Sequence, residues 1–162
     1  MTRYAATTSV SVEKSRSEIE SILQRYGCEE FAYRTDRKSA QIAFRMNERM
    51  LRFDIKLPNP DSKEFTHSNH THARERSEAQ AFKAWEQACR QRWRALALVI
   101  KAKLEAVDSG ITSFDVEFMA HTIVPGGKVF HEVALPQIED AYRTGKMPPL
   151  LTAPKKRARK LT

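Results

Sequence analysis

Three residues of the sequence have the types and spacing that metal-dependent cleavage of nucleic acids requires. Asp54 and Lys56 stand two residues apart in a segment of alternating apolar residues, so both side chains belong to one face of a strand. Asp36 lies in a polar turn before that segment. Two carboxylates can hold Mg²⁺, and a lysine can orient the attacking water. Because Asp36 can also simply close its turn, we keep catalysis by Asp36, Asp54 and Lys56 as an alternative.

A second group with possible metal chemistry is formed by His67, His70 and His72, in the polar loop after the same segment. Imidazole nitrogens spaced this closely could converge on zinc or nickel. No cysteine lies nearby, and the only close carboxylates are Asp61 and Glu64. We therefore predict exposed histidines and no cofactor, and we keep a metal site at His67, His70 and His72 as an alternative.

Basic residues recur at helical spacing along the longest predicted helix, which runs from about Arg74 to Asp108. Its apolar residues fall in one sector of roughly 100°. We predict that this sector, including both tryptophans, forms part of the core. It contains Phe82, Trp85, Cys89, Trp93, Leu96, Ile100, Leu104 and Val107. On the opposite side we predict a basic stripe that contacts phosphate: Arg76, Lys83, Arg90, Arg94 and Lys101. Arg92 and Lys103 lie near the apolar border, from where they can reach the sheet.

Two further basic groups accompany this stripe. One is the outer face of the predicted sheet, which carries Arg34, Arg45, Arg52 and Lys56. Asp54 is the only acidic residue predicted on this face. The other is the tail, which carries Lys155, Lys156, Arg157, Arg159 and Lys160. The net charge is +8, although residues 105–150 hold three basic and seven acidic residues. This asymmetry favours contact with a polyanion, DNA rather than RNA, mainly through phosphates and without sequence specificity.

The elements that must position these residues predict an α+β fold. A helix from Ser11 to Arg25 precedes three strands of an antiparallel meander, and the long amphipathic helix follows. A smaller helical part comes last, with a short helix capped by Ser113, a tight turn at residues 125–127 and a helix over 131–144. We predict a weakly ordered arm (1–10), a single domain (11–147) and a disordered Pro-rich, basic tail (148–162).

Two resemblances bear on function. The αβββ order with Asp36, Asp54 and Lys56 resembles the core of PD-(D/E)xK nucleases, but no proline precedes Asp36. The segments VSVEKSRSEIE, AWEQACRQRWRALALVIKAKLEAV and YRTGKMPPLL are similar to a family of small uncharacterised proteins of phages and prophages. That resemblance covers most of residues 10–151 and implies the cytosol of a bacterial host. It carries over no activity and no catalytic residues.

From these patterns we expect a non-enzymatic accessory protein that binds nucleic acid through the stripe, the sheet and the tail. One alternative is the Mg²⁺-dependent nuclease. Another is a protein–protein interaction module, in which the acidic region 105–150 and an uncovered apolar patch bind a host or phage partner. No apolar run is long enough to cross a bilayer, so we expect no membrane contact.

Overall fold

The computed structural model describes residues 4–36, 38–68 and 74–147, and it has the predicted α+β architecture. Its elements are α1 (Val12–Arg25), β1 (Glu30–Thr35), β2 (Ser39–Met46), β3 (Arg49–Lys56), α2 (Lys63–Thr66), α3 (Glu78–Asp108), α4 (Phe114–Phe118), a 3₁₀ helix (Met119–His121) and α5 (Phe130–Thr144). The tail prediction, and with it Lys155, Lys156, Arg157, Arg159 and Lys160, lies outside the described residues.

The first helix begins and ends where its capping residues predict. Ser11 Oγ accepts a hydrogen bond from the Lys14 backbone N–H at 3.2 Å, which satisfies one of the free donors of the first turn. Gly27 follows the last turn at φ +87°, a conformation that residues with a Cβ rarely adopt. The spacing of Ile19, Ile22 and Leu23 predicts one apolar face of this helix, and all three side chains are buried.

The three strands form an antiparallel sheet in the order β1-β2-β3. Alternate residues of β2 and β3 point into the core, where Ile42 pairs with Phe53 and Phe44 with Leu51. The alternation of Phe31 and Tyr33 with polar or small residues predicts that both point into the core, and this was wrong for Tyr33. Tyr33 is 47% exposed and lies under the Arg16 guanidinium, which is 3.9 Å from its ring centroid. As an edge strand, β1 has no neighbour to cover its outer residues.

The long helix begins at Glu78 rather than at Arg74. Ser77 and Gln80 form a capping box, in which each side chain accepts from the other's backbone N–H at 3.4 Å. The helix lies over α1 and the inner face of the sheet, and Trp93 and Ile100 are buried at its centre. Residues of the predicted arm lie along it: Gln91 donates to the Tyr4 carbonyl at 2.8 Å, and Gln87 to that of Thr8 at 2.9 Å.

The C-terminal part closes the core through Phe118, whose ring packs edge-on against Phe44 and Phe53. The predicted tight turn is present, since Ile123 and Val129 form an antiparallel bridge around it. Thr122 forms a bridge with Leu51 of β3. Together these bridges attach the chain between the 3₁₀ helix and α5 to the free edge of the sheet.

The last helix was predicted less well than the others. The spacing of apolar residues in this helix predicts that Leu135 and Tyr142 point inward. They are instead 51% and 89% exposed, and Ala134 is the buried residue of α5. Pro136 is the seventh residue of α5 and therefore lies inside the helix. Within the described residues, no helix is both long and apolar enough to cross a membrane.

Candidate nucleic-acid interface

Arg76 lies outside the long helix and has a structural role. Its Nη1 donates to the carbonyl oxygens of Glu64 and Phe65, at 3.0 Å each. These carbonyls lie at the end of α2, where a helix leaves its last acceptors without backbone donors. Arg76 therefore stabilises the loop that leads into α3, and its charge is directed inward.

Two more arginines of the predicted stripe are paired with carboxylates. Arg90 contacts Glu86 at 3.0 Å and also donates to Gln87 Oε1 at 2.8 Å. Arg94 forms an ion pair with Glu18 of α1, and this hydrogen bond raises the pKa of Arg94. By contrast, Lys83 and Lys101 are exposed and have no ion pair with any described residue.

The stripe lies beside the buried face of α3 rather than opposite to it, as the ion pair between Arg94 and α1 requires. A step of seven residues advances a helix by about 700°, so the basic residues share one direction, but that direction is only about 100° from the apolar centre. The side opposite the core carries Ala95, Ala102 and the 45%-exposed Leu98. The prediction of an opposed basic side was wrong for this reason.

The outer face of the sheet is less basic than predicted. Arg45 pairs with Glu30 at 3.1 Å, so Asp54 is not its only acid. Arg52 is bound by Asp54 at 3.0 Å and by Glu132 of α5 at 2.8 Å, and only 21% of its side chain is exposed. Of the four predicted cations, Arg34 and Lys56 are the two that have no ion pair with a described residue.

The two aspartates of the nuclease alternative have other hydrogen-bond partners. Asp36 accepts from the backbone N–H groups of Lys38 and Ser39 at 2.7 and 2.8 Å and from Ser39 Oγ at 2.9 Å. These bonds lower the pKa of Asp36. Asp54 accepts from Gln41 at 2.7 Å and from Arg52 at 3.0 Å. Protein donors therefore occupy oxygen lone pairs that a Mg²⁺ ion would need.

Of the three loop histidines, His67 belongs to the described part of the chain, whereas His70 and His72 lie outside it. The Nδ1 atom of His67 lies 2.8 Å from the Thr66 hydroxyl. In the described ranges, no group of three or more His, Cys, Asp or Glu residues is placed to hold a metal ion.

Four of the cations that have no ion pair with a described residue lie near the turn from β1 to β2 and the end of β3. We call Arg34, Lys38, Lys56 and Arg92 the basic end. Lys38 is held next to β3 because its carbonyl accepts from the Leu57 N–H at 2.9 Å, and Ser39 pairs with Lys56. Arg92 reaches the sheet as predicted, with Nη1 3.5 Å from the Lys56 carbonyl. Asp36 lies near Arg34 and Lys38, and Asp61 lies near Lys38 and Lys56. Because these are two carboxylates against four cations, the basic end keeps a net positive charge.

A groove of about 650 Å³ opens beside the basic end. It is lined among others by Lys38, Asn59, Asp61, Glu78, Phe82 and Trp85. A second depression of about 450 Å³ shares Lys38, Asn59 and Asp61 with it and adds Lys56. The groove and the basic end therefore form one continuous surface.

The aromatic wall of the groove consists of two residues that we predicted to be core. Phe82 is 59% exposed, and Trp85 is half-buried. Trp85 Nε1 donates a hydrogen bond to the Pro58 carbonyl at 2.8 Å, which fixes the indole. The ring centroids of Phe82 and Trp85 lie 5.6 Å apart, and the two ring planes are inclined at 44°. The core prediction was wrong for Phe82 because the turns of α3 before Arg92 extend past Lys56, the last residue of β3, whose carbonyl Arg92 contacts.

Sequence reasoning missed this groove, although Pro58-Asn59-Pro60 is a signal that the chain leaves the sheet just there. It also missed Lys38, because a residue in a turn belongs to no periodic pattern. No protein-family model, no curated protein and no solved structure matches the chain.

Proposed function

We propose that this chain is a non-enzymatic nucleic-acid-binding accessory protein of phage or prophage type, working in the host cytosol, and that its basic end contacts phosphates. One observation carries the proposal: Lys38, Lys56 and Arg92 lie together and have no carboxylate within ion-pair distance among the described residues. Lysine and arginine side chains without carboxylate partners can exchange their counterions for a phosphate backbone.

The interface proposed from the geometry is narrower than the one predicted from the sequence. Arg34 extends the basic end along the sheet, and Lys83 and Lys101 add exposed charge on α3. The five basic residues of 155–160 provide a further attraction that depends on charge alone. Arg45, Arg52, Arg76, Arg90 and Arg94 have internal partners, and we assign them to stability. Contacts of this kind read the backbone and not the base sequence, and we retain DNA as the preferred partner.

The test is a fluorescence-anisotropy titration with labelled single- and double-stranded DNA and RNA over a range of salt concentrations. The double variant Lys38→Ala/Lys56→Ala should weaken binding to every sequence alike. On a duplex, the slope of log K against log salt should become less steep by about 1.8, at about 0.9 per lost phosphate contact.

The matched control is Lys128→Ala/Lys146→Ala, which removes the same charge from two exposed lysines remote in sequence from the basic end. It should leave the slope close to that of the wild type. Equal slopes for the two double variants, or no binding to any nucleic acid at low salt, would contradict the proposal.

We keep the Mg²⁺-dependent nuclease as a lower-ranked candidate, because Asp36 and Asp54 already accept hydrogen bonds from protein donors. It would become the preferred function if plasmid DNA were nicked in the presence of Mg²⁺ and if Asp54→Ala abolished the nicking. Since Asp54 also holds Arg52, the variant needs a circular-dichroism spectrum that matches the wild type.

A third candidate function is protein–protein interaction through the acidic C-terminal part, residues 105–147. Among its described residues, six large apolar side chains are 47% to 89% exposed: Ile111, Val116, Met119, Leu135, Tyr142 and Met147. With three basic and seven acidic residues over 105–150, the fitting partner has an apolar and basic surface. Leu135→Ser/Tyr142→Ser should abolish a complex that withstands high salt and should leave DNA affinity unchanged.

A further inference from the structure

We propose that the groove walled by Phe82 and Trp85 binds an unstacked base, so that the protein prefers single-stranded to double-stranded nucleic acid. This inference rests on the nucleic-acid binding proposed above and assigns a ligand to the groove next to the basic end. It adds a contact that charge alone does not supply.

The exposure of Phe82 is the first observation behind this inference. A phenylalanine that is 59% exposed leaves most of its apolar surface in water, where it contributes little to folding. It does not stand alone, because its ring lies 5.6 Å from that of Trp85 and both line a groove of about 650 Å³. That volume is in the range of pockets that bury small organic ligands.

The orientation of the two rings is the second observation. The hydrogen bond from Trp85 Nε1 to the Pro58 carbonyl holds the indole in place before any ligand arrives. At 44° to each other, the rings are tilted and not stacked in parallel. An aromatic face therefore remains available to a third ring, and every nucleobase has a π face that can stack on it.

The charges around the groove determine how a single nucleic-acid strand would be oriented in it. Lys38 lines the groove, and Lys56 lies in the adjoining depression, so both are placed for the phosphates that flank a stacked base. Asp61 and Glu78 also line the groove and repel phosphate. The backbone is therefore directed towards the lysines and the base towards the aromatic wall.

A duplex cannot use this wall, because its bases are already paired and stacked on one another. A single strand can turn one base out at small cost and keep its phosphates on the lysines. The groove consequently predicts a difference between the two forms of nucleic acid that the basic end by itself does not predict.

Tryptophan fluorescence gives a direct test, since the chain has two tryptophans and Trp93 is 2% exposed. A short single-stranded DNA should quench the emission of the wild type, and the matching duplex should quench it less. In Trp85→Phe the remaining buried tryptophan should show no quenching, although anisotropy still detects binding.

Phe82→Ala should weaken single-strand binding about tenfold, the loss of one base–aromatic contact, and should leave duplex binding unchanged. Phe82→Tyr should restore single-strand affinity because it keeps the ring. The control Tyr142→Ala removes an aromatic side chain that is 89% exposed elsewhere, and it should have no effect.

The two proposals can fail separately. If neither single strands nor duplexes bind, the proposed function fails. If both bind equally well, without quenching and without an effect of Phe82→Ala, phosphate binding by the basic end stands and the base-stacking site is refuted.

Discussion

Arg52 and Lys56 stand four residues apart on β3 and face the same side of the sheet, yet they are available to a ligand to very different degrees. Arg52 is bound by Asp54 at 3.0 Å and by Glu132 at 2.8 Å, and its side chain is 21% exposed. Lys56 is exposed and forms no ion pair within the described ranges. At the scale of the residue, therefore, partners from distant parts of the chain decide which cations can meet a polyanion.

His121 is the residue whose protonation should affect folding most directly. Its ring stacks on Phe53 with 3.8 Å between centroids, and its buried Nδ1 has no hydrogen-bond partner in the part of the chain that is described. Burial, followed by the charge of Lys103 and of His131, lowers the pKa of His121, and a hydrogen bond with the Arg52 backbone acts in the other direction. Protonation would place an N–H donor and a charge where neither is satisfied.

We therefore expect the free energy of unfolding to fall as the pH drops below 6.5, the ordinary pKa of histidine. The sign follows because the unfolded chain binds the proton more readily than the folded chain does. Urea unfolding at a series of pH values would measure this loss. His121→Phe keeps a ring against Phe53 and should reduce the loss of unfolding free energy below pH 6.5. The control His67→Gln should lose as much unfolding free energy below that pH as the wild type does.

At the scale of the element, the most important feature is that α3 is longer than the strands on which it packs. At about 1.5 Å per residue, its 31 residues extend for about 46 Å. An eight-residue strand such as β3 spans only about 27 Å. The middle of the helix is covered and buries Trp93, while its first turns project past the sheet and leave Phe82 in the groove. Arg92 contacts the carbonyl of Lys56, the last residue of β3, so the turns of α3 before Arg92 extend past that strand, and the groove lies there.

A second prediction at this scale concerns Pro136 inside α5. Proline has no N–H for the Glu132 carbonyl, and its ring crowds that carbonyl, at a typical cost of about 3 kcal/mol relative to alanine. Pro136→Ala should therefore strengthen the C-terminal half of α5, whose Leu135 and Tyr142 are exposed. We expect greater helicity by circular dichroism and slower amide hydrogen exchange over residues 137–144.

In Pro136→Ala, the temperature of global unfolding should change less than the local exchange rates do. The C-terminal half of α5 contributes little to the core, so a more stable helix there adds little to global stability. Pro125→Ala, in the exposed turn before α5, should leave exchange in the helix unchanged. If amide exchange over residues 137–144 were also unchanged in Pro136→Ala, the prediction would be contradicted, and Pro136 would not limit the stability of α5.

At the scale of the whole molecule, Arg94 joins α3 to α1 through Glu18, so we expect it to act in stability rather than in binding. The two side chains are 26% and 38% exposed, and an ion pair this accessible typically contributes up to about 1 kcal/mol. Arg94→Ala should lower the free energy of unfolding by that amount in urea and leave the salt slope of DNA binding unchanged.

Lys83→Ala is the matched comparison, because Lys83 belongs to the same stripe but is exposed and has no ion pair with a described residue. It should leave stability unchanged. A loss of DNA affinity in Arg94→Ala without a loss of stability would return Arg94 to the binding surface.

Much of the fold could be predicted because local rules act on neighbouring residues. Ser11 and Ser113 cap their helices as expected, and the alternation of apolar residues in β2 and β3 reports their buried face. The start of α3 was placed four residues too early, because helix-favouring residues precede Ser77 and only the capping box fixes the boundary.

The interface depended on contacts that periodicity does not contain. Spacing along α3 determined that the basic residues share a direction, but the packing of α1 against α3 decided that Arg94 meets Glu18. Composition determined that the chain is basic, while the fold decided that Lys38, Lys56 and Arg92 lie beside an open aromatic groove. The physical reason is range: capping and alternation act over a few residues, whereas pairing and exposure depend on whatever the folded chain brings within a few ångströms.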